Sequence, residues 1–269
     1  MRLISGDFAL KDKSHRHLVI DRIKHYQQLT NLEPIADLTL WTESSISVDY
    51  QNVKAYINKI ESDNTVLLGS YYHNGISSNN VLLDMNSKQP VYYKQHLIPF
   101  GEYTPNWFLS FKSLLPKFHM DELITYKNQH QHIIFKDLKL FASICFELLS
   151  SKELLQNSKQ ANIHIHISDL GWFDNHNVAS CLLKVARIRA IETAKPIIYS
   201  VNQDIPAFID YKGNILKQQH NQDTYVLNQK VAPQQGTTFY AQYQDRPVLV
   251  LLCSLFQAWK KSTKNKHSL

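Results

Sequence analysis

Strand-length segments that alternate with helix-patterned ones set the narrowest limit on what this chain can fold into. Thr65 to Tyr72 is a strand by its unbroken apolar run, and Met1 to Ile4, Leu38 to Trp41, Leu138 to Ile144, Ala161 to Ile167 and Pro196 to Val201 are further strand segments. Apolar residues near helical spacing predict helices over Ser14 to Thr30 (Leu18, Ile20, Ile23, Tyr26, Leu29), with Ser14 as cap, and over Val48 to Glu61 (Val53, Tyr56, Ile57, Ile60). Two more helices follow, from Ser150 to Ser158 and from Asn177 to Ala194. Val81 to Asp84 returns as a hairpin partner after the polar string His73 to Asn80, and Ala207 to Leu216 forms a second hairpin with Gly213 in its turn. Alternation closed by hairpins argues a core of two sheet layers clad by helices. With only 7 glycines in 269 residues, asparagine is expected to supply many of the turns.

A chain of this length with 43% apolar residues buries one large core and needs no second domain. The organisation read from it is one domain over 1–246 and an apolar segment with a basic tail over 247–269. The net charge of +6 suits an anionic surface, but Lys260, Lys261, Lys264 and Lys266 carry much of the surplus. That placement, and the lack of any nucleic-acid motif, leave no nucleic-acid partner expected. Cys145, Cys181 and Cys253 stand in unlike contexts and form neither a disulfide framework nor a Cys-x-x-Cys metal pair. The first residues contain no signal-peptide h-region, and no apolar run reaches the roughly 18 residues of a membrane-spanning helix. Pro247 to Trp259 is apolar apart from Ser254 and Gln257. As a helix it spans about 20 Å, short of a hydrocarbon core of about 30 Å. Two readings stand for it: an interfacial anchor with Trp259 at headgroup depth, or a helix docked on an oligomer face.

Three strand-end groups have complementary chemistry. Glu43 follows Leu38 to Trp41, Lys94 follows Val91 to Tyr93, and Cys145 follows Leu138 to Ile144. A thiol becomes a nucleophile when a base removes its proton or a cation lowers its pKa, and a carboxylate and an ammonium supply those two effects. The words around them carry a resemblance. Tyr92-Tyr93-Lys94-Gln95-His96-Leu97-Ile98-Pro99-Phe100-Gly101-Glu102-Tyr103, with Ile144-Cys145-Phe146-Glu147, resembles the carbon-nitrogen hydrolase (nitrilase) superfamily and, by its Pro-Phe-Gly-Glu tail, the catalytic domain of the apolipoprotein N-acyltransferases.

The resemblance implies an α/β fold, the nitrilase-like four-layer α-β-β-α sandwich, and no cofactor or metal. It also implies roles: Glu43 as general base, Lys94 stabilising the oxyanion and Cys145 carrying the acyl group as a thioester. Glu102, Glu147, Phe146 and Trp172 are expected in support. The implied partners are a phospholipid acyl donor, a lipoprotein acceptor and a membrane surface, at the periplasmic face of a bacterial inner membrane. The long excursion from Glu102 to Lys136, with Trp107, Phe108, Leu109, Phe111, Leu114, Leu115 and Phe118, is expected to hold acyl chains or dip into a bilayer. The upstream membrane helices of the resembled family are not in this sequence. A soluble amidase and a remnant that binds without turnover stay open as alternatives.

Departures from the pattern cluster near the pocket. Trp-Pro-Glu is Trp41-Thr42-Glu43, and tyrosine is replaced by Phe146. Ser-Asn-Asp-Ala-Trp-Phe-Gly is matched at Ser168, Trp172 and Phe173 but differs at Asp169, Leu170, Gly171 and Asp174. Ser180-Cys181 stands in place of Gln-His. Thr-Asn-x-Gly-Ile becomes Val201-Asn202-Gln203-Asp204-Ile205, which loses a glycine suited to positive φ. His164 and His166 on one strand face, and His130 and His132, allow either a metal site or histidines satisfied beneath a helix.

Overall fold

The computed structural model describes residues 1–6, 8, 18–57, 64–73, 75, 77–105, 107, 132–173, 176–218 and 225–266. The first sheet has seven strands: β1 (Arg2–Ser5), β2 (Leu38–Trp41), β3 (Ile46–Asp49), β4 (Thr65–His73), β5 (Ser78–Asp84), β6 (Gln89–Tyr93) and, from the far end of the chain, β13 (Tyr225–Asn228). Their order is β13-β1-β2-β4-β5-β6, with β3 paired to β4 off this path. The second sheet holds β7 (Ile133–Phe135), β8 (Leu138–Ile144), β9 (Ile163–Asp169), β10 (Ile197–Asn202), β11 (Ala207–Ile209) and β12 (Ile215–Gln218), in the order β12-β11-β10-β9-β8-β7. Helices α1 (Val19–Thr30) and α2 (Tyr50–Ile57) cover one sheet, and α3 (Ser151–Ser158) and α4 (His176–Thr193) cover the other.

Side-chain alternation explains the layering. Along β9, Ile163, Ile165 and Ile167 enter the cluster between the sheets, where they meet Leu3, Leu40, Leu67 and Leu82 of the first sheet. The odd residues of β2 and the even residues of β4 serve the opposite face: Trp41, Val66 and Leu68 pack with Val19, Ile23, Tyr26 and Val53 of the helices. A third cluster joins Phe141, Tyr199 and Val201 to Leu154, Ala186 and Ala190 of α3 and α4. The central strands β2, β9 and β10 are buried along their whole length, which is why their sequences lack a solvent side. The order helix, sheet, sheet, helix is the nitrilase-like α-β-β-α sandwich expected from the sequence.

Several boundaries differ from the expectations. Val48 lies in β3, and α2 starts only at Tyr50, because Asp49 Oδ1 accepts the Gln51 N–H at 2.7 Å and caps the helix there. Residues 58–61, the end of that expected helix, lie outside the described residues, as do Ser14 and the span 108–131 of the aromatic excursion. No asparagine has positive φ among the described residues; the non-glycine positions with positive φ are Ser44, Lys88, Phe100, Lys136, Cys145, Ala194, Gln203 and Gln244. The turn after β10 puts its left-handed residue at Gln203 (φ 61°), one position before the expected glycine, so Asp204 carries no such demand.

One buried cation ties the first layers together. Arg2, fully buried, donates to the carbonyls of Leu29, Thr30, Leu32 and Pro34, where the end of α1 leaves acceptors without helical partners.

The last helix, α6 (Arg246–Lys266), follows the short α5 (Phe239–Tyr243) and behaves differently from all others. Val248, Leu249, Val250, Leu251, Leu252, Leu255, Phe256 and Trp259 are all more than half exposed. Among the described residues no helix is long and apolar enough to cross a membrane.

Candidate active site

Glu43 is placed by a tight turn. Ser45 N–H returns to the Thr42 carbonyl at 3.3 Å, Ser44 takes positive φ (50°), and Ser45 Oγ donates to the Gly69 carbonyl of β4 at 3.0 Å. The turn lies so close to β4 that a Cβ on Gly69 would stand 2.6 Å from both Glu43 Cα and the Thr42 carbonyl oxygen. Only glycine allows that approach. The Glu43 carboxylate, 5% exposed, accepts Asn80 Nδ2 at 2.7 Å on Oε1 and the Asp169 N–H at 2.9 Å on Oε2.

Lys94 leaves β6 with its N–H on the Asn80 carbonyl at 2.9 Å and its side chain 2% exposed. Its Nζ donates to Glu102 Oε1 at 2.6 Å and stands 3.6 Å from Glu43 Oε1. Burial works against the ammonium, but Glu43, Cys145 and Glu102 outweigh it and hold the lysine above its ordinary pKa. Lys94 therefore stays charged at any working pH. Glu102 is itself fixed, since its Oε2 accepts the Ile98 N–H at 2.8 Å.

Cys145 is the first residue of a 3-10 turn, Cys145–Leu149, and has positive φ (54°). A non-glycine residue in that region carries strain of about 1–2 kcal/mol, which surrounding contacts must hold. The sharp exit from β8 leaves the thiol half-buried at the strand end, against the edge of the cluster between the sheets. Burial and the Glu43 charge push the thiol up to about 12, against the opposing pull of Lys94 and the Ser168 hydroxyl. The resting thiol keeps its proton near neutrality, and attack needs a base. Burial likewise raises Glu43, with Lys94 opposing, so that carboxyl is a stronger base than a solvated one.

Glu147 is 3% exposed and collects four donors: Tyr92 OH at 2.9 Å, Ile144 N–H at 2.7 Å, Gln95 N–H at 2.5 Å and His96 N–H at 3.1 Å. Ile144 precedes the thiol and Gln95 follows the lysine, so one carboxylate pins together the two segments that deliver Cys145 and Lys94. Glu147 acts through this backbone clamp rather than through an ion pair with Lys94, Arg187 or Arg189. Arg187 instead donates to the Gly213 carbonyl, and Arg189 to the Leu148 and Leu149 carbonyls and to Glu192.

Glu43, Lys94, Glu102 and Cys145 thus form one charged cluster, with Glu147 beside it. Phe146 and Trp172 are surface side chains, 44% and 68% exposed. Sequence reasoning gave Asn80 and Tyr92 no role and read Asp169 only as a departure from the family pattern. A buried asparagine in a strand, depleted there by its side-chain chemistry, was the signal for Asn80; it lay hidden in a polar string that reads as a turn.

The buried histidines have other partners. His164 Nε2 and His166 Nδ1 lie 2.7 and 2.8 Å from the same Ser143 Oγ, and burial keeps both imidazoles neutral, His166 pushed down to about 3. No group of three His, Cys, Asp or Glu side chains suited to a metal ion occurs among the described residues, and His130 lies outside them. A cavity of about 370 Å³ opens behind Glu147, lined by Tyr92, Gln95, His96, Lys152, Glu153 and Asn157. Neither Glu43, Lys94 nor Cys145 lines it.

The chain is similar to the apolipoprotein N-acyltransferase of Vibrio parahaemolyticus, 27% identical over 260 residues covering 88% of this chain and 50% of that protein. It is also similar to that of Rickettsia typhi, 31% identical over 235 residues covering 80% and 45%. The chain spans about half the length of the curated relatives it matches. Among solved structures, a carbon-nitrogen hydrolase from Helicobacter pylori G27 superposes with a TM-score of 0.62 at 12% identity over 86% of this chain and 88% of that one. An amidase from Nesterenkonia sp. superposes with a TM-score of 0.60 at 15% identity over 96% and 95%. The carbon-nitrogen hydrolase family model matches residues 36–237, from the strand before Glu43 to the loop after β13. With that match over most of its length and a cysteine-centred site at the strand ends, this chain belongs to the carbon-nitrogen hydrolase family.

Proposed function

We propose that this chain is the catalytic domain of an N-acyltransferase that moves a fatty acyl chain from a phospholipid, through a thioester on Cys145, to the N-terminal amine of a lipoprotein. The observation that carries the reading is a lysine ammonium held at 3.6 Å from Glu43 and 2.6 Å from Glu102, beside a strand-end thiol. In the first half, Glu43 takes the thiol proton and Sγ attacks the ester carbonyl. The negative charge on the carbonyl oxygen develops in the field of Lys94, and such preorganised stabilisation contributes about 3–4 kcal/mol. Collapse expels the lysophospholipid alkoxide, which leaves with the proton from Glu43. In the second half, the acceptor amine attacks the thioester, gives its proton to Glu43, and the thiolate departs and is reprotonated.

The apolipoprotein N-acyltransferase relatives support the choice of acyl donor and acceptor. The exposed apolar surface of α6, with Trp259 and Lys260 at its end, supports a membrane-surface location, which we place at the periplasmic face of a bacterial inner membrane. Trp107, 66% exposed and edge-on to Phe100, offers a second apolar contact for acyl chains. The fold neighbours that are amidases favour a second reading, hydrolysis of a small amide with release of ammonia. The test is transfer of a labelled acyl chain from phospholipid vesicles to a diacylated lipopeptide with a free amine. Transfer that is lost in Cys145→Ala supports the proposal. Ammonia release from amides without acyl transfer overturns it in favour of the amidase.

A further inference from the structure

Strand β9 ends at Asp169, whose N–H reaches Glu43 Oε2 at 2.9 Å. Covalent geometry then keeps the Asp169 carboxylate within about 8 Å of the same oxygen. That side chain does not turn to water. It is 3% exposed, and its Oδ1 accepts Asn202 Nδ2 at 2.8 Å and the Gly171 N–H at 3.2 Å. Asn202 is fixed in turn, donating to the Phe8 carbonyl at 2.9 Å and accepting the Phe8 N–H at 3.0 Å. Two carboxylates are therefore confined together, by partners that belong to four separated parts of the chain.

Charged and titratable groups from several described elements face the two carboxylates. Lys94 Nζ faces Glu43 at 3.6 Å but is shared with Glu102 at 2.6 Å. Cys145 from the 3-10 turn and Tyr71 from β4 also face Glu43, and Tyr26 from α1, with Arg22 behind it, faces Asp169. Burial is the largest influence raising Glu43, and among the neighbouring charges Asp169 acts in the same direction. A fixed negative charge beside Glu43 disfavours ionisation of that carboxyl.

We propose that Asp169 is a positioning residue for Glu43: its backbone N–H aims the carboxylate, and its negative charge strengthens Glu43 as acceptor of the Cys145 thiol proton. In that step the S–H bond breaks, an O–H bond forms on Glu43, and the electron pair stays on sulfur. The resembled family's pattern has asparagine at this position, so the charge is a feature of this chain. The inference rests on the acyl-transfer reading only for the role of Glu43, and its test needs no acyl donor.

The test is the pH profile of Cys145 alkylation by iodoacetamide, followed at the Cys145 peptide by mass so that the exposed Cys181 and Cys253 do not interfere. Asp169→Asn keeps the backbone N–H and the shape and removes only the charge. Its acidic limb is expected to move to lower pH by about one to two units, with a lower plateau rate. In a Glu43→Gln background the same substitution should move nothing, because the group that senses the charge is gone. Should Asp169→Asn fail to fold, Asp169→Ser supplies a second neutral side chain. A lower plateau with an unmoved limb overturns the inference and leaves Asp169 a packing residue. A shifted limb without acyl transfer to lipopeptide keeps the inference and overturns the proposed function instead.

Discussion

Two buried glutamates, Glu43 and Glu147, lie in the same part of the molecule and do opposite work. Glu147 is saturated: four donors converge on its two oxygens, three of them backbone N–H groups from segments that must meet. Glu43 has one donor per oxygen, Asn80 Nδ2 and the Asp169 N–H, and faces a lysine ammonium and a thiol. Burial raises both carboxyls above their ordinary pKa. Under the proposed function, the difference that matters is the number of lone pairs left to serve a reacting partner.

Three substitutions break or sharpen that comparison, ordered by their effect on stability. Glu147→Ala strips three buried N–H groups of their acceptor and should destabilise by about 3–5 kcal/mol, read as a fall in Tm or in the denaturant midpoint. A loss below about 1 kcal/mol would mean the clamp is not needed. Gly69→Ala is next. Its methyl would meet the Glu43 backbone at 2.6 Å, so the turn must shift. The expected cost is about 1–3 kcal/mol in stability, with a rate loss of about 100-fold from misplacement of the base. Unchanged acyl transfer in a folded variant would show that Glu43 is not held by that contact.

Glu43→Gln should change stability least, within about 1 kcal/mol near neutrality, while lowering the acyl-transfer rate by about 10²–10⁴-fold. It also changes the pH response. A carboxyl raised in the folded state contributes stability that is complete below the unfolded value, 4.5, and is lost as pH rises through the folded value. The wild type therefore carries a downward slope of stability with rising pH that begins near 4.5, and Glu43→Gln should reduce it to the part that Glu147 contributes. Chemical denaturation at several pH values measures both slopes; equal slopes would deny that Glu43 is a raised group.

Legibility in the sequence followed the range of the interaction. Ile163, Ile165 and Ile167 announce a buried strand because their spacing is local, and the sandwich follows from several such strands with helices between them. Lys94 and Cys145 stood out for the fixed words around them. Asn80 and Tyr92 gained no role from the sequence and Asp169 only that of a departure from the family pattern, because their partners lie far along the chain: Asp169 and Glu43 are 126 residues apart. Nothing in a local window says that such groups meet. The end of β3 was misread for a different reason, since Val53, Tyr56 and Ile57 have helical spacing and only the Asp49 cap fixes where the helix starts. The turn after β10 shows the same limit, with positive φ at Gln203 where a neighbouring position was expected to need it.

The central claim is that Glu43, Lys94 and Cys145 act as one acyl-accepting unit. Intact-protein mass spectrometry after incubation with phospholipid vesicles tests it most directly. Wild type should gain a single fatty acyl mass, removable by hydroxylamine and mapped to Cys145, and the folded Glu43→Gln and Lys94→Met variants should not. An unmodified folded wild type, or an equal adduct in Glu43→Gln, would contradict the account.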